Sequence, residues 1–164
     1  MPGMELSTIT CTMSGPTTGL VAGFPFGSTG ASPLSDVSGN NLHLTAAGTV
    51  NYSGIPPGTA PSNNFVSANL NGAASYSMPT FTLGGAMTIE GWVYPKTHAP
   101  HHRIVDISDT VGGTLRILVS ASYEQTGRPS FYIIHPGDVW QSIIAPQSQS
   151  IPLNAWSHVA AVLT

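Results

Sequence analysis

From Leu20 onwards the chain is a succession of short apolar or alternating stretches, broken by clusters of Gly, Pro, Ser and Asn. No stretch keeps the i, i+3, i+4, i+7 apolar spacing that an amphipathic helix needs. The alternation predicts strands throughout. They are expected at Leu20 to Phe26, Leu42 to Leu44, Ala73 to Met78, Met87 to Tyr94 and Arg103 to Ile107, then at Thr114 to Val119, Phe131 to Ile134, Gln141 to Ile144 and Trp156 to Leu163. Pro25 places the first of these at an edge or a bulge, because proline has no N–H for the ladder. In Met87 to Tyr94 neither alternating face is uniformly polar, so that strand is expected inside a covered sheet. The 18 Gly and 14 Pro supply the turns that so many strands require. The expected fold is all-β, a sandwich or barrel of one domain. A propeller would repeat about every forty residues, and no repeat is present.

The surface that covers such a core is unusually free of charge. Charged residues make 7% of the chain, four Lys and Arg against seven Asp and Glu, for a net charge of -3. Without a basic stripe to displace counterions from phosphates, nucleic acid is excluded as a partner. Solvent is met mainly by Ser, Thr, Asn and Gln, a surface that suits an extracellular, cell-surface or assembled protein. Cys11 is the sole cysteine, so no disulfide closes within the chain. Residues 1–20 have neither the basic start nor the apolar run of a signal peptide, and no run of about 18 apolar residues exists to insert into a membrane.

Five segments, in order, resemble the concanavalin A-like lectin/glucanase superfamily, and within it the laminin-G-like jelly rolls. They are LVAGFPF at Leu20 to Phe26, DVSGNN at Asp36 to Asn41, LNGAASYSMP at Leu70 to Pro79, MTIEGWVYP at Met87 to Pro95 and IPLNAWSHVAAVLT at Ile151 to Thr164. The resemblance implies a two-sheet antiparallel jelly-roll β-sandwich over residues 20–164, with residues 1–19 as an N-terminal extension. Trp92 and Trp156 are expected between the sheets, and His158 as a satisfied interior histidine. Members of the family continue past the strand of Trp156 with a hairpin and a further strand. The expectation is therefore a domain short of its last strands, whose open edges take up the remainder of a longer polypeptide or a neighbouring copy.

Catalytic signatures are missing. Glycoside hydrolysis needs paired carboxylates on one face, whereas Glu90 stands alone on its strand and Asp106 and Asp109 alternate to opposite faces. Neither a nucleophile elbow nor a phosphate-binding loop occurs. The chain is expected not to be an enzyme. Calcium is the cofactor that the resemblance implies, with Asp36 and Asn40 as candidate ligands. The same Asp, Ser, Gly and Asn also make an ordinary turn, and Gly27 stands where relatives often carry Asp. His98, His101 and His102 are close enough in sequence to ligate a transition metal, or are simply exposed loop histidines.

Sugars are bound by an aromatic ring stacked on the sugar face with polar groups beside it. Tyr123 and Trp140, read as loop aromatics, and Asp138 are the candidates, with core packing as the alternative. Asn51 opens the sequon Asn51-Tyr52-Ser53 and is a candidate glycosylation site. Two functions remain. One is a non-catalytic carbohydrate-binding or adhesion module whose partner is a glycan or glycoprotein. The other is a structural subunit of a filament, fibre or coat that assembles through open sheet edges.

Overall fold

A computed structural model describes residues 19–26, 34–53, 67–70, 72–109 and 115–164. The chain divides into two compact units, residues 1–82 and 83–164. The described regular structure is antiparallel sheet with one turn of 3-10 helix, Gln147–Gln149. The expected all-β class is thus the observed one. Residues 1–18 of the N-terminal extension, with Cys11 among them, and Gly27 lie outside the described residues.

In the first unit, β1 (Thr45–Ala47) pairs with β4 (Ser75–Ser77), and β2 (Asn51–Ser53) pairs with β3 (Ser67–Asn69). Leu20 to Phe26 is not a strand, contrary to its alternation. Side chains take its backbone groups instead. Gly23 N–H donates to the Asp36 carboxylate, and the carbonyls of Leu20 and Val21 accept from the Asn40 amide. Phe26 then turns into the left-handed region at φ 44°. The expected strand at Leu42 to Leu44 begins later, at Thr45, where the ladder with β4 starts.

The second unit holds two sheets. The seven residues of β5 (Met87–Val93) pair along their whole length with β10 (Ser157–Leu163). The other sheet has four strands in chain order: β6 (His102–Ser108), β7 (Arg116–Tyr123), β8 (Arg128–His135) and β9 (Val139–Ile144). Consecutive hairpins suit a meander, in which each strand lies beside the next along the chain. The β7–β8 connection needs Gly127 at φ 68°, and the β8–β9 connection needs Gly137 at φ 82°. At Gly127 the requirement is doubled, because a Cβ there would run into the His98 ring.

Period-two alternation gives each strand two faces. Val119 and Ala121 of β7, with Phe131 of β8, pack against Val159 and Ala161 of β10 and Ile89 and Val93 of β5. Ile151 enters the same cluster from the segment after the 3-10 turn. This packing makes a β-sandwich of the second unit. Trp92 is not part of it: on β5 it faces away from the core and is 56% exposed, stacked at 5.2 Å on His158, which is exposed too. The expectation of an interior Trp92 and an interior His158 is therefore corrected. Alternation decides the matter, because the smaller Ile89, Gly91 and Val93 occupy the inward positions of the strand. Trp156 is half-buried against Tyr94 at 5.4 Å, just before β10 begins.

Because Ile151 is buried in the central cluster, Ile151→Ala is expected to cost about 2–5 kcal/mol through lost transfer energy and a cavity. Val162→Ala, on the exposed side of β10, should change stability by no more than about 0.5 kcal/mol. Urea unfolding of the two variants checks the assigned inner and outer faces of β10.

Candidate functional site

The outer face of the four-stranded sheet carries most of the chemistry of the second unit. Cross-strand partners share a face. The pairs Arg116↔Ile134↔Trp140, Leu118↔Tyr132↔Ser142 and Ser120↔Ser130↔Ile144 therefore set three rows across β7, β8 and β9. At the β6 side, Asp106 pairs with Leu118, and its Oδ2 accepts from both Arg103, at 2.8 Å, and Arg116, at 2.6 Å. Leu118, Tyr132 and Ile134 form a second buried cluster in the middle, with Tyr123 packed against it. At the β9 side Trp140 is 58% exposed and meets the Tyr132 ring edge-on at 6.0 Å. Tyr132 thus joins the buried cluster to the exposed Trp140. The Tyr132 hydroxyl and the Ser130 hydroxyl are both buried with no hydrogen-bond partner among the described residues.

Trp140 and Tyr123 lie on strands, not on loops: Trp140 is the second residue of β9 and Tyr123 the last of β7. Asp138 is in the β8–β9 turn, at φ 57°, two residues before Trp140. Tyr123 pairs with Arg128 at the opposite end of β8, about 20 Å along the strand from that turn. Asp138 and Trp140 are therefore neighbours, while Tyr123 stands apart at its own cluster. There the Arg128 guanidinium lies 5.9 Å from the Tyr123 ring centre, and His101 approaches the ring edge-on at 6.4 Å. The Glu124 carboxylate pushes the Tyr123 hydroxyl up. Tyr132 was not among the sequence candidates. The alternation Ser130, Tyr132, Ile134 places it on the face of Trp140, but only the β8–β9 register brings the two rings together.

The three clustered histidines diverge. His98 donates from Nε2 to the Ile151 carbonyl at 2.9 Å and supports Gly127, His101 turns to Tyr123, and His102 begins β6. Among the described residues, no three His, Cys, Asp or Glu side chains gather as a metal would require.

Asp36 and Asn40, the candidate calcium ligands, do come together in the first unit. The Asp36 carboxylate accepts from Gly23 N–H and Ser38 N–H at Oδ1, both 2.9 Å, and from the Ser38 hydroxyl and Leu42 N–H at Oδ2, 2.6 and 3.0 Å. Both oxygens are thus engaged by donors, and a cation would have to displace them. Burial pushes this carboxyl up, but the hydrogen bonds from the Ser38 side chain and from the Ser38, Gly23 and Leu42 amides outweigh it and hold it at about 2. The Asn40 side chain donates to the Leu20 and Val21 carbonyls at 3.1 and 2.9 Å. Asn51 is exposed on β2. Next to it, Tyr76 donates to the Tyr52 hydroxyl at 3.0 Å, and burial together with that bond pushes the Tyr76 hydroxyl up.

The family model that matches the chain is that of a laminin-G-like domain, described as concanavalin A-like lectin/glucanases superfamily, and it covers residues 67–164. The chain belongs to the concanavalin A-like lectin/glucanases superfamily. No curated protein and no solved structure matches it. Membership agrees with the sandwich of the second unit, and β5 through β10 all fall within the matched region. A superfamily of lectins and glucanases supports, in general terms, a carbohydrate-binding or adhesion module. No described helix is long and apolar enough to cross a membrane.

The lowered pKa of Asp36 makes the stability of this concanavalin A-like chain depend on acid. A carboxylate held below its unfolded value of about 3.8 contributes stability above that pH, which is lost as pH falls from there towards about 2. Asp36→Asn should abolish that slope and cost about 1–3 kcal/mol, since an amide nitrogen would face N–H donors. Thermal melts of both proteins between pH 5 and pH 2, a range set by ordinary carboxylate titration, check this.

Proposed function

We propose that the chain is a non-catalytic carbohydrate-binding module that takes a sugar at the exposed β9 margin of the four-stranded sheet, against Trp140. The observation that carries this reading is the exposed Trp140 ring, met edge-on by Tyr132, with Ser142 two residues on along the same face of β9 and Asp138 two residues before it in the adjoining turn. A sugar presents C–H groups to a ring face and hydroxyls to its surroundings, and an exposed indole beside a carboxylate and a hydroxyl meets both needs. Membership of a lectin and glucanase superfamily supports the substrate class. It also supports an extracellular or cell-surface setting, as does the scarcity of charge.

The non-catalytic part of the proposal rests on the carboxylates. Hydrolysis of a glycosidic bond uses two of them, about 5–10 Å apart across the sugar. Asp106 is engaged by two arginines on one oxygen, Glu90 belongs to the other sheet, and Asp138 stands at the far turn beside Trp140. The proposal also assigns no calcium to Asp36. Its four donors make it a staple of the loop at residues 36–42 to residues 20–23.

A glycan array followed by calorimetry on the best ligand tests the reading. Trp140→Ala should weaken binding by at least about tenfold, as truncating an aromatic anchor does, while Trp92→Ala on the other sheet should leave it unchanged. Chelation of calcium should alter neither the affinity nor the melting temperature. Absence of any glycan ligand, release of sugar from the ligand, or loss of binding through Trp92 alone would overturn the proposal.

A further inference from the structure

None of the chain's lysines and arginines stands at the proposed sugar site. There are four, Lys96, Arg103, Arg116 and Arg128, all among the described residues, and residues 1–82 contain neither type. Arg116 shares the row of Trp140, but across Ile134 and so about 10 Å away. Its guanidinium reaches the other way, to Asp106 on β6, and Arg103 ends on the same carboxylate oxygen. Arg128 lies at the opposite end of β8, about 20 Å along the strand, where its Nε donates to the Ala145 carbonyl at 2.6 Å. Lys96 precedes by two residues His98, whose ring lies against Gly127 at that same far turn.

Carboxylates are distributed differently. Asp106 and Asp109, on and just beyond β6, balance the charges of Arg103 and Arg116. Asp138 has no such counterpart, and among the described residues it forms no ion pair. It is exposed in the β8–β9 turn, two residues before Trp140, and two residues of chain span at most about 7 Å. That is inside the distance of about 8 Å over which physiological salt screens a charge. Whichever way its side chain turns, the carboxylate acts on whatever stacks against the indole. The ring adds to this, because its electron-rich face repels an anion laid over it. His135, at the end of β8, pairs with Val139 and so faces away from Trp140.

We propose that the Trp140 site is selective for uncharged sugars and that Asp138 sets the selection, an inference that rests on the sugar-binding reading of Trp140. A neutral pyranose offers C–H groups to the indole and hydroxyl donors to the carboxylate. A sugar bearing a carboxylate or a sulfate brings a like charge to a place with no cation to receive it. Repulsion of two unit charges about 7 Å apart near a wet surface amounts to a roughly threefold to fiftyfold loss of affinity. Asp138 is thus a specificity-determining residue of the site, whereas Trp140 supplies the contact common to every ligand.

The test is a glycan array in which each neutral oligosaccharide is printed beside its glucuronylated, sialylated and sulfated forms, read at about pH 8, where imidazoles as a class are uncharged. The neutral form should bind at least about threefold more strongly than each acidic form at low salt, and the ratio should shrink in molar salt. Asp138→Asn should raise the acidic forms relative to the neutral ones by at least about threefold. It keeps the turn, because Asn takes left-handed backbone as Asp does. Glu90→Gln removes the same charge from the other sheet and should leave the ratio unchanged. Acidic forms that bind through Trp140 as strongly as neutral ones, or a ratio that Asp138→Asn does not move or that Glu90→Gln moves as much, overturn the selection and leave the Trp140 site standing. Glycan binding indifferent to Trp140→Ala overturns both.

Discussion

The contact on which the second unit depends is the packing of Val119 and Ala121 of β7 against Val159 of β10. Those residues are among the most buried in the chain, and they draw Ile89, Val93, Phe131 and Ile151 into one cluster. Once this face is committed to the core, alternation leaves no choice about the rest. Leu118, Ser120 and Ser122 of β7 must point the other way, and with them Tyr132 of β8 and Trp140 of β9. The Tyr132–Trp140 pair and the arginine-bound Asp106 are on the outer face because Val119 and Ala121 are on the inner one. A shift of one residue in the register of β8 against β9 would separate Tyr132 from Trp140.

A different device holds the described part of the first unit. Its strands are three residues long, too short to organise much by pairing alone. Polar side chains close the backbone in their place: Asp36 gathers four donors, and the Asn40 amide takes the carbonyls of residues 20 and 21. The loop that resembles a family calcium segment is therefore also a self-sufficient hydrogen-bond network. Loss of a single carboxylate would release N–H groups around a buried position, which is why acid is the condition that tests it.

The strands of the second unit are legible because each alternates or, as in β7, runs continuously apolar between turn residues, and their limits blur mainly where serines intervene. The end of β7 lay past the sequence estimate because Ser120 and Ser122 look like turn residues, although they are among the most buried side chains of the protein. The strand expected at Leu20 to Phe26 failed for the opposite reason, since its apolar pattern is sound but its backbone is claimed by Asp36 and Asn40, which lie more than a dozen residues away. Long-range hydrogen bonds of that sort leave no local trace. For Trp92, position on the strand decides over bulk: Ile89 and Val93 of the same strand mark the inner face, and the indole between them points outward. Within the candidate site, Trp140 and Asp138 could be found as a local pair, while Tyr132 depended on strand register and Tyr123 proved to lie at the other end of the sheet.

The central claim is that the exposed β9 margin of the four-stranded sheet, at Trp140, is where this chain meets a sugar. The chain has three tryptophans, Trp92, Trp140 and Trp156, so their indole N–H resonances report on three separate places. Titration of the protein with the strongest oligosaccharide ligand should shift the Trp140 resonance and leave those of Trp92 and Trp156 in place. Shifts confined to Trp92 or Trp156 at saturation would contradict the account.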